Sequence, residues 1–226
     1  MLMLDTVFPR VVGDIGNPET FDFPVRYMVV KGSFPRRVIY RPDRGLLELF
    51  IRAAKRLEEE GARMISTSCG FLAIFQKQIA EAVNVPFVSS SLLQVPLVHS
   101  LLPPGKKVGI FTAEASRLTG EHLAGAGAEN VPVVIHGMEG EEEFKRVFIG
   151  NSPEADMSGL KQEVYRVAGR FVRPGADVGA IVLECTNLPP FEPLIREATG
   201  LPVFHLNGLI SMCYRSLCGF VPQIKL

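Results

Sequence analysis

The chain has 226 residues, of which 47% are apolar, so it is long enough to bury one large core or two small ones. Lysine plus arginine equals aspartate plus glutamate, at 24 each. Without excess positive charge the chain has no electrostatic means of holding nucleic acid or an anionic membrane surface. We therefore expect its partners to be small molecules or copies of itself, with no nucleic acid and no membrane.

The opening segment MLMLDTVFPR lacks the basic, apolar and small-residue regions of a secretory signal, and no uncharged apolar stretch approaches the roughly 18 residues of a membrane helix. These features predict a cytoplasmic protein. Four cysteines with no C-x-x-C pair do not form a disulfide scaffold, and the four histidines are not spaced as zinc ligands are. We expect no metal.

Helical and strand patterns alternate along the chain. In chain order they predict a helix over 46–61, a strand over 62–67, a helix over 71–83, strands over 85–90 and 106–112, a helix over 116–127, a strand over 131–137, a helix over 158–172, a strand over 178–184, a helix over 191–200, a strand over 201–207 and a C-terminal helix. This alternation predicts an α/β fold with mostly parallel sheets. Ligands of such sheets bind beyond the carboxyl ends of the strands, which is where Cys69 falls.

An internal repeat relates two cysteines. The segment CGFLAIFQKQIAEAVNVPFV starts at Cys69, and CTNLPPFEPLIREATGLPVF starts at Cys185, a constant separation of 116 positions. Seven of the 20 aligned positions are identical, among them the cysteine, a phenylalanine and a proline. Two units that share only a packing pattern are one interpretation. We favour two related halves, each with a thiol at the same strand-to-helix corner.

A thiol pair of this kind has a chemical use. If the halves face each other about a pseudo-twofold axis, both sulfurs face one cleft, and a helix N-terminus beside each sulfur would favour the thiolate. One thiolate could remove a proton next to a carbonyl while the opposed thiol delivers one to the other face. Cys213 and Cys218 have no counterpart in the other half and are assigned to packing.

The segments STSCGF, LECTNLPPF, GDIGNPETF and VGIFTAEAS together resemble the aspartate/glutamate/hydantoin racemase superfamily. The resemblance implies two similar α/β lobes related by a pseudo-twofold axis, an active site in the cleft between them, no cofactor and a homodimer. The first lobe would comprise 1–100 plus 206–226 and carry Cys69. The second lobe would comprise 101–205 and carry Cys185.

By the same resemblance, Cys69 and Cys185 would be the catalytic acid and base. The expected substrate-binding residues are Asp14, Gly16, Asn17, Thr67, Ser68, Gly70, Phe71, Thr112, Thr186 and Asn187. Their hydroxyl, amide or backbone donors would stabilise the enolate-like charge, although a polar residue at such a corner can equally be a cap or turn former. Phe71 stands where glutamate racemases carry a polar residue. It would either line a pocket for a less polar substrate or pack in the core.

The expected function is therefore that of a PLP-independent isomerase. It would racemise or epimerise a small carboxylic acid, an amino-acid derivative or a hydantoin by proton transfer between the two cysteines. Three alternatives stay open on the same scaffold: a maleate-type cis-trans isomerase, an arylmalonate-type decarboxylase, and a non-catalytic protein that binds a small carboxylate.

Overall fold

The computed structural model describes residues 1–218. Its strands are β1 Leu2–Met3, β2 Met28–Val29, β3 Ile65–Ser66, β4 Phe87–Val88, β5 Lys107–Thr112, β6 Val133–Gly137, β7 Val178–Leu183 and β8 Val203–His205. Its α-helices are α1 Pro35–Tyr40, α2 Arg44–Glu59, α3 Gln76–Ala80, α4 Val95–Leu101, α5 Gly120–Gly125, α6 Glu142–Phe144, α7 Met157–Ala168, α8 Glu192–Thr199 and α9 Leu206–Cys218. Short 3₁₀-helices span Gly70–Phe75, Ser91–Gln94, Ala115–Arg117, Gly169–Val172 and Pro189–Phe191, and a π-helical turn spans Lys145–Ile149.

Parallel strands form a sheet in each half. In the first half β1 pairs with β2 and β3 pairs with β4, and a bridge from Leu2 to Thr67 brings β1 beside β3. In the second half the order is β6-β5-β7-β8, with parallel pairing throughout. The two halves therefore share one strand order, and the predicted α/β fold with parallel sheets is confirmed.

The repeat extends to the pairing register. Ile65 lies opposite Phe87 in the first half, and Ile181 lies opposite Val203 in the second. Both members of the second pair lie 116 positions after those of the first, and α8 likewise begins 116 positions after α3. Because a slip of one residue would turn every side chain to the other face, a shared register means that matching positions of these strands face the same side of the sheet in both halves.

Helix α2 shows how the local sequence sets an element. The Asp43 carboxylate accepts a hydrogen bond from the Leu46 N–H and caps the first turn, and Gly61, with φ of +90°, follows the last turn. The cap explains why the helix begins two residues before the predicted start. Its buried face consists of Leu46, Phe50, Ala54 and Leu57.

The observed helices and strands differ from the predicted ones in several places. The strands β1 and β2 are two residues long, too short to show the alternation that predicts a strand, and were not predicted individually. The helices α1 and α4, which have proline in the first turn, were also missed. The predicted helix over 71–83 opens as a 3₁₀-helix and becomes α-helical only at Gln76.

A large apolar cluster continues through both halves and includes Phe50, Phe71, Phe111, Phe144 and Phe171. The division into lobes at 1–100 plus 206–226 and at 101–205 stays a prediction, and 219–226 lie outside the described residues. Within 1–218, no helix combines the length and the apolarity needed to cross a bilayer.

Candidate active site

Cys69 lies where the first sheet gives way to a helix. It follows β3 with extended backbone, φ −155° and ψ 119°, and directly precedes the 3₁₀-helix Gly70–Phe75. The Thr67 hydroxyl anchors this corner by donating to the Ser89 carbonyl over 2.6 Å. The Ser68 hydroxyl accepts from the Leu4 N–H at 2.9 Å. These bonds tie the corner to both neighbouring strands, so the position of the sulfur is set by the sheet.

Cys185 occupies the matching corner of the second sheet, after β7. The carbonyl of Phe111, on the adjacent strand β5, accepts from the N–H of Glu184 at 2.8 Å and from the N–H of Cys185 at 3.4 Å. In each half the N–H two residues after the cysteine lies near its sulfur, Phe71 in the first half and Asn187 in the second. The corners therefore match in their local hydrogen bonding as well as in sequence.

Both cysteines line one cavity, which holds about 400 Å³ of empty space, part of it open to solvent. Thr186 joins the two corners, because its hydroxyl donates to the Ser68 carbonyl over 2.7 Å. The other lining residues come from both halves: Leu4, Thr6, Phe8, Arg10, Pro35, Ile39, Ser68, Gly70, Phe71, Ala113, Phe148, Ile149, Glu184, Thr186 and Asn187.

Glu184 is a buried carboxylate beside both cysteines. Its Oε2 accepts from the Thr112 hydroxyl at 2.5 Å, whereas its Oε1 is buried and has no hydrogen-bond partner among the described residues. Burial raises the pKa of Glu184 to about 7, and the bond from Thr112 limits the rise. A carboxyl group in this state exchanges its proton near neutral pH.

The pKa values of both thiols are raised, whereas a helix N-terminus beside each sulfur predicted lowered values. Burial, and then the charge of Glu184, raise the pKa of Cys69, while the Phe71 N–H and the Arg10 guanidinium offset part of the rise. The pKa of Cys185 is raised by burial and by Glu184, with Cys69 and Asp14 adding to the rise. The expected depression is therefore wrong, since desolvation outweighs the nearby N–H groups.

Arg10 brings a positive charge to the cavity. Its Nη1 donates to Asp14 Oδ1 over 2.6 Å, and its Nη2 donates to the Thr6 hydroxyl over 2.9 Å. Asp14, which is 2% exposed, also accepts from the side chain of Asn187 at 2.8 Å. Asp14 thus holds both the cation from the first half and an amide from the second in place around the cysteines.

The predicted site residues fall into two groups. Those that line the cavity are Cys69, Cys185, Ser68, Gly70, Phe71, Thr186 and Asn187, whereas Asp14, Gly16, Asn17, Thr67 and Thr112 stand behind the lining. The second group supports the first: the Gly16 N–H donates to Asp14 and the Asn17 amide donates to the Arg10 carbonyl, each over 2.8 Å. Their role as substrate contacts stays a prediction.

Sequence reasoning missed Arg10 and Glu184. A signal existed for Arg10, which is four residues before Asp14 and of opposite charge. Glu184 was included in the predicted strand 178–184 as its last residue. A carboxylate directly after six strand residues and directly before a cysteine is the signal that could have found it. Cys213, in α9, packs beside a smaller apolar cluster away from the cavity, in accord with its assignment to packing.

No family model matches the sequence. A relative from Durusdinium sp. clade D, a dimethylsulfoniopropionate lyase, is 31% identical over 211 residues, which cover 90% of this chain and 69% of the relative. The chain belongs to the dimethylsulfoniopropionate lyase family. The dimethylsulfoniopropionate lyase 7 of Emiliania huxleyi is 30% identical over 90% of this chain, but this chain spans only 62% of that relative.

Solved structures show the fold of this lyase-family chain. A variant of arylmalonate decarboxylase matches 97% of this chain and 93% of its own, with a TM-score of 0.61 and 18% identity. The aspartate racemase of Picrophilus torridus matches 86% of this chain and 80% of its own, with a TM-score of 0.59 and 17% identity. The resemblance to the aspartate/glutamate racemase superfamily is thereby confirmed for the fold.

The predicted activity is corrected by the family. The expected isomerase, a racemase or epimerase acting on amino-acid derivatives or hydantoins, is wrong because the relatives at 30% identity or more are named lyases. The same finding contradicts the three alternatives, namely the cis-trans isomerase, the decarboxylase and the non-catalytic binding protein. The motifs around the two cysteines belong to a scaffold shared by enzymes of several reaction types, so they identify the thiols and not the bond that breaks.

Proposed function

We propose that this protein cleaves dimethylsulfoniopropionate into dimethyl sulfide and acrylate. The observation that carries the proposal is the 31% identity to a dimethylsulfoniopropionate lyase over 90% of the chain, which includes both cysteine corners. Because the relatives are longer than this chain, the activity is proposed here for the segment that carries the cavity.

The reaction is an elimination. A base takes the hydrogen on the carbon next to the carboxylate, the C–H electrons become the carbon–carbon double bond, and the C–S bond breaks so that dimethyl sulfide leaves with its electron pair. The released proton is the third product, and no redox partner is required. The active site must therefore supply a base, a partner for the carboxylate and a place for the cationic sulfonium.

We assign the base to Cys69. The Arg10 charge favours its thiolate, whereas the pKa of Cys185 is raised further by Cys69 and Asp14. Cys185 would keep its proton and contact the opposite side of the substrate, since an elimination delivers no proton to carbon. This assignment departs from a racemase, in which both thiols exchange protons with the substrate.

The two charged ends of the substrate have chemically matched neighbours. Arg10 would pair with the carboxylate, which also stabilises the additional charge that develops as the proton leaves. Phe71 and Phe148 would offer ring faces to the dimethylsulfonium group, an interaction of the cation–π type. On this proposal Phe71 serves as an aromatic substrate contact instead of the polar one found in racemases.

The test is release of dimethyl sulfide from purified protein, followed by gas chromatography of the headspace. We expect turnover by the wild type, a loss of about 10²–10⁴-fold in Cys69→Ser, and a smaller loss in Cys185→Ser. Cys213→Ser, a cysteine change outside the cavity, is the matched control and should retain activity. A wild type that forms no dimethyl sulfide, or a fully active Cys69→Ser, would overturn the proposal.

The assembly state is a second part of the proposal. We expect a homodimer, on the resemblance to racemases alone, and sedimentation equilibrium of the purified chain measures it. A monomeric mass at micromolar concentration would contradict this part and leave the proposed reaction standing.

A further inference from the structure

We propose that Glu184 accepts the proton of the Cys69 thiol, so that the thiolate forms by transfer within the cavity and not by direct release of the proton to water. Glu184 acts on the substrate only through Cys69: it takes the thiol proton and does not contact the substrate. The inference deepens the proposed function and rests on it for the assignment of Cys69 as the base.

The unused oxygen of Glu184 is the first observation. The residue is fully buried and lines the cavity, and its Oε1 has no hydrogen-bond partner within residues 1–218 although Oε2 is bonded to Thr112. An unpartnered buried carboxylate oxygen is costly, and it gains a partner when it accepts a proton. Cys69 lines the same cavity, so its thiol is a source of that proton.

The position of this oxygen is the second observation. A Cβ built at Gly70 would overlap both the backbone carbonyl and Oε1 of Glu184, and would lie 2.8 Å from the carboxyl carbon. The free oxygen is thus packed against the backbone of the residue that follows Cys69. Only glycine permits this approach, so the corner of the first half is shaped around the carboxylate of the second.

Charge conservation is the third argument. A thiolate and a carboxylate in one desolvated cavity disfavour each other, since each raises the pKa of the other. The pair of thiol and carboxylate carries one negative charge, and so does the pair of thiolate and carboxylic acid. Transfer breaks the S–H bond, forms the O–H bond and adds no charge, which resolves the conflict between a raised thiol pKa and a thiolate base.

The same route returns the site to its starting state. When the thiolate has taken the substrate hydrogen, Cys69 is again a thiol and Glu184 is still a carboxylic acid. Since the pKa of Glu184 is raised to about 7, the acid can release the proton to water near neutral pH. One proton leaves per turnover, as the overall elimination requires.

The test follows the alkylation of Cys69 by iodoacetamide between pH 5.5 and 10, resolved at the peptide level by mass spectrometry. In wild type the alkylation rate should rise twice with pH. The first rise is near pH 7, when the pair of Cys69 and Glu184 keeps only one proton, and the second is at alkaline pH. Glu184→Gln, which has no group to take the thiol proton, should lose the first rise and show the alkaline rise alone. No substrate turnover is involved, so this result is independent of the lyase assay.

Two further variants separate the proposal from a purely structural role. Thr112→Val removes the hydroxyl that stabilises the carboxylate, so the first rise should move to higher pH. Glu163→Gln, a buried carboxylate that accepts from the Glu143 and Phe144 N–H groups, is the matched control and should leave the profile unchanged. In every variant the reactivity of Cys213 reports whether the fold is intact.

The outcomes are distinct. A Glu184→Gln profile that keeps the first rise shows that Glu184 does not take the thiol proton and overturns the inference. An unshifted first rise in Thr112→Val overturns it equally. A two-step wild-type profile without any dimethyl sulfide formation would refute the proposed substrate and support the role of Glu184.

Discussion

Gly70 and Glu184 approach each other closely across the two halves at the cavity. From the sequence we expect Gly70 to bind substrate, and a glycine directly after a cysteine leaves room for a ligand near the backbone. In the structure the room is taken by a side chain of the other half. A missing Cβ thus indicates close approach, but the sequence does not identify the group that approaches.

Gly70→Ala tests this contact. The added methyl group overlaps Glu184 backbone and side-chain atoms that cannot move without disturbing β7, so we expect a loss of about 1–3 kcal/mol in the free energy of unfolding. Gly208→Ala is the matched control: within the described part of the chain nothing lies within 4 Å of the added carbon, and in α9 the change should stabilise by about 0.5–1 kcal/mol. Urea unfolding followed by circular dichroism measures both. An equally stable Gly70→Ala would show that the halves separate easily here.

At this scale the cysteines were predictable and their charged neighbours were not. Cys69 and Cys185 stand at matching positions of the internal repeat, so a comparison of the two halves of the sequence identifies both. Glu184 has no counterpart in the other half, because Ser68 stands 116 positions before it, and Arg10 lies outside the segment that the repeat covers. Residues that break the symmetry of a repeat are invisible to a search for it, and they include the residues that distinguish one active site from another.

Among the elements, the strands of the second half were predicted best. The strands β5 and β7 have six residues each and continuous apolar character, whereas β1 and β2 have two residues each and take their place through tertiary pairing. The short 3₁₀-helix after Cys69 could not be told from an α-helix, since both put apolar residues on one face. Predictions from sequence periodicity therefore located the corners but not their backbone geometry.

The corners that end β3 and β7 are joined by the Thr186 hydroxyl, which donates to the Ser68 carbonyl. Thr186→Val keeps the shape and leaves a buried carbonyl without its donor, so we expect a loss of about 1–3 kcal/mol in the free energy of unfolding. Thr186→Ser retains the hydroxyl and should remain within about 1 kcal/mol of wild type. Guanidinium unfolding of the three proteins decides the matter. Equal losses in both variants would assign the effect to the methyl group and not to the bond.

For the whole molecule, the sequence predicts the fold but not the type of reaction. The racemase fold was predictable because the internal repeat with its two cysteine corners is visible in the sequence, and solved racemase and decarboxylase structures have this fold. The reaction was not, since a racemisation and the proposed elimination would both begin by removing a proton next to a carboxylate. They differ afterwards, when the electrons either recapture a proton or expel a leaving group. That choice depends on the substrate and on the few cavity residues that accommodate it, which the shared motifs do not include.

The two-half architecture predicts the stereochemistry of the elimination. Because the sulfurs come from different halves and line one cavity, we expect each to approach a different face of the bound substrate, and a single base then removes only one of the two hydrogens on the α-carbon. With dimethylsulfoniopropionate deuterated at one α-position, one enantiomer should yield acrylate free of deuterium and the other should yield acrylate that retains all of it. Mass spectrometry of the acrylate distinguishes them, with unlabelled and doubly labelled substrate as controls. Partial retention from both enantiomers would mean that either thiol serves as base, and the division of roles between Cys69 and Cys185 would be wrong.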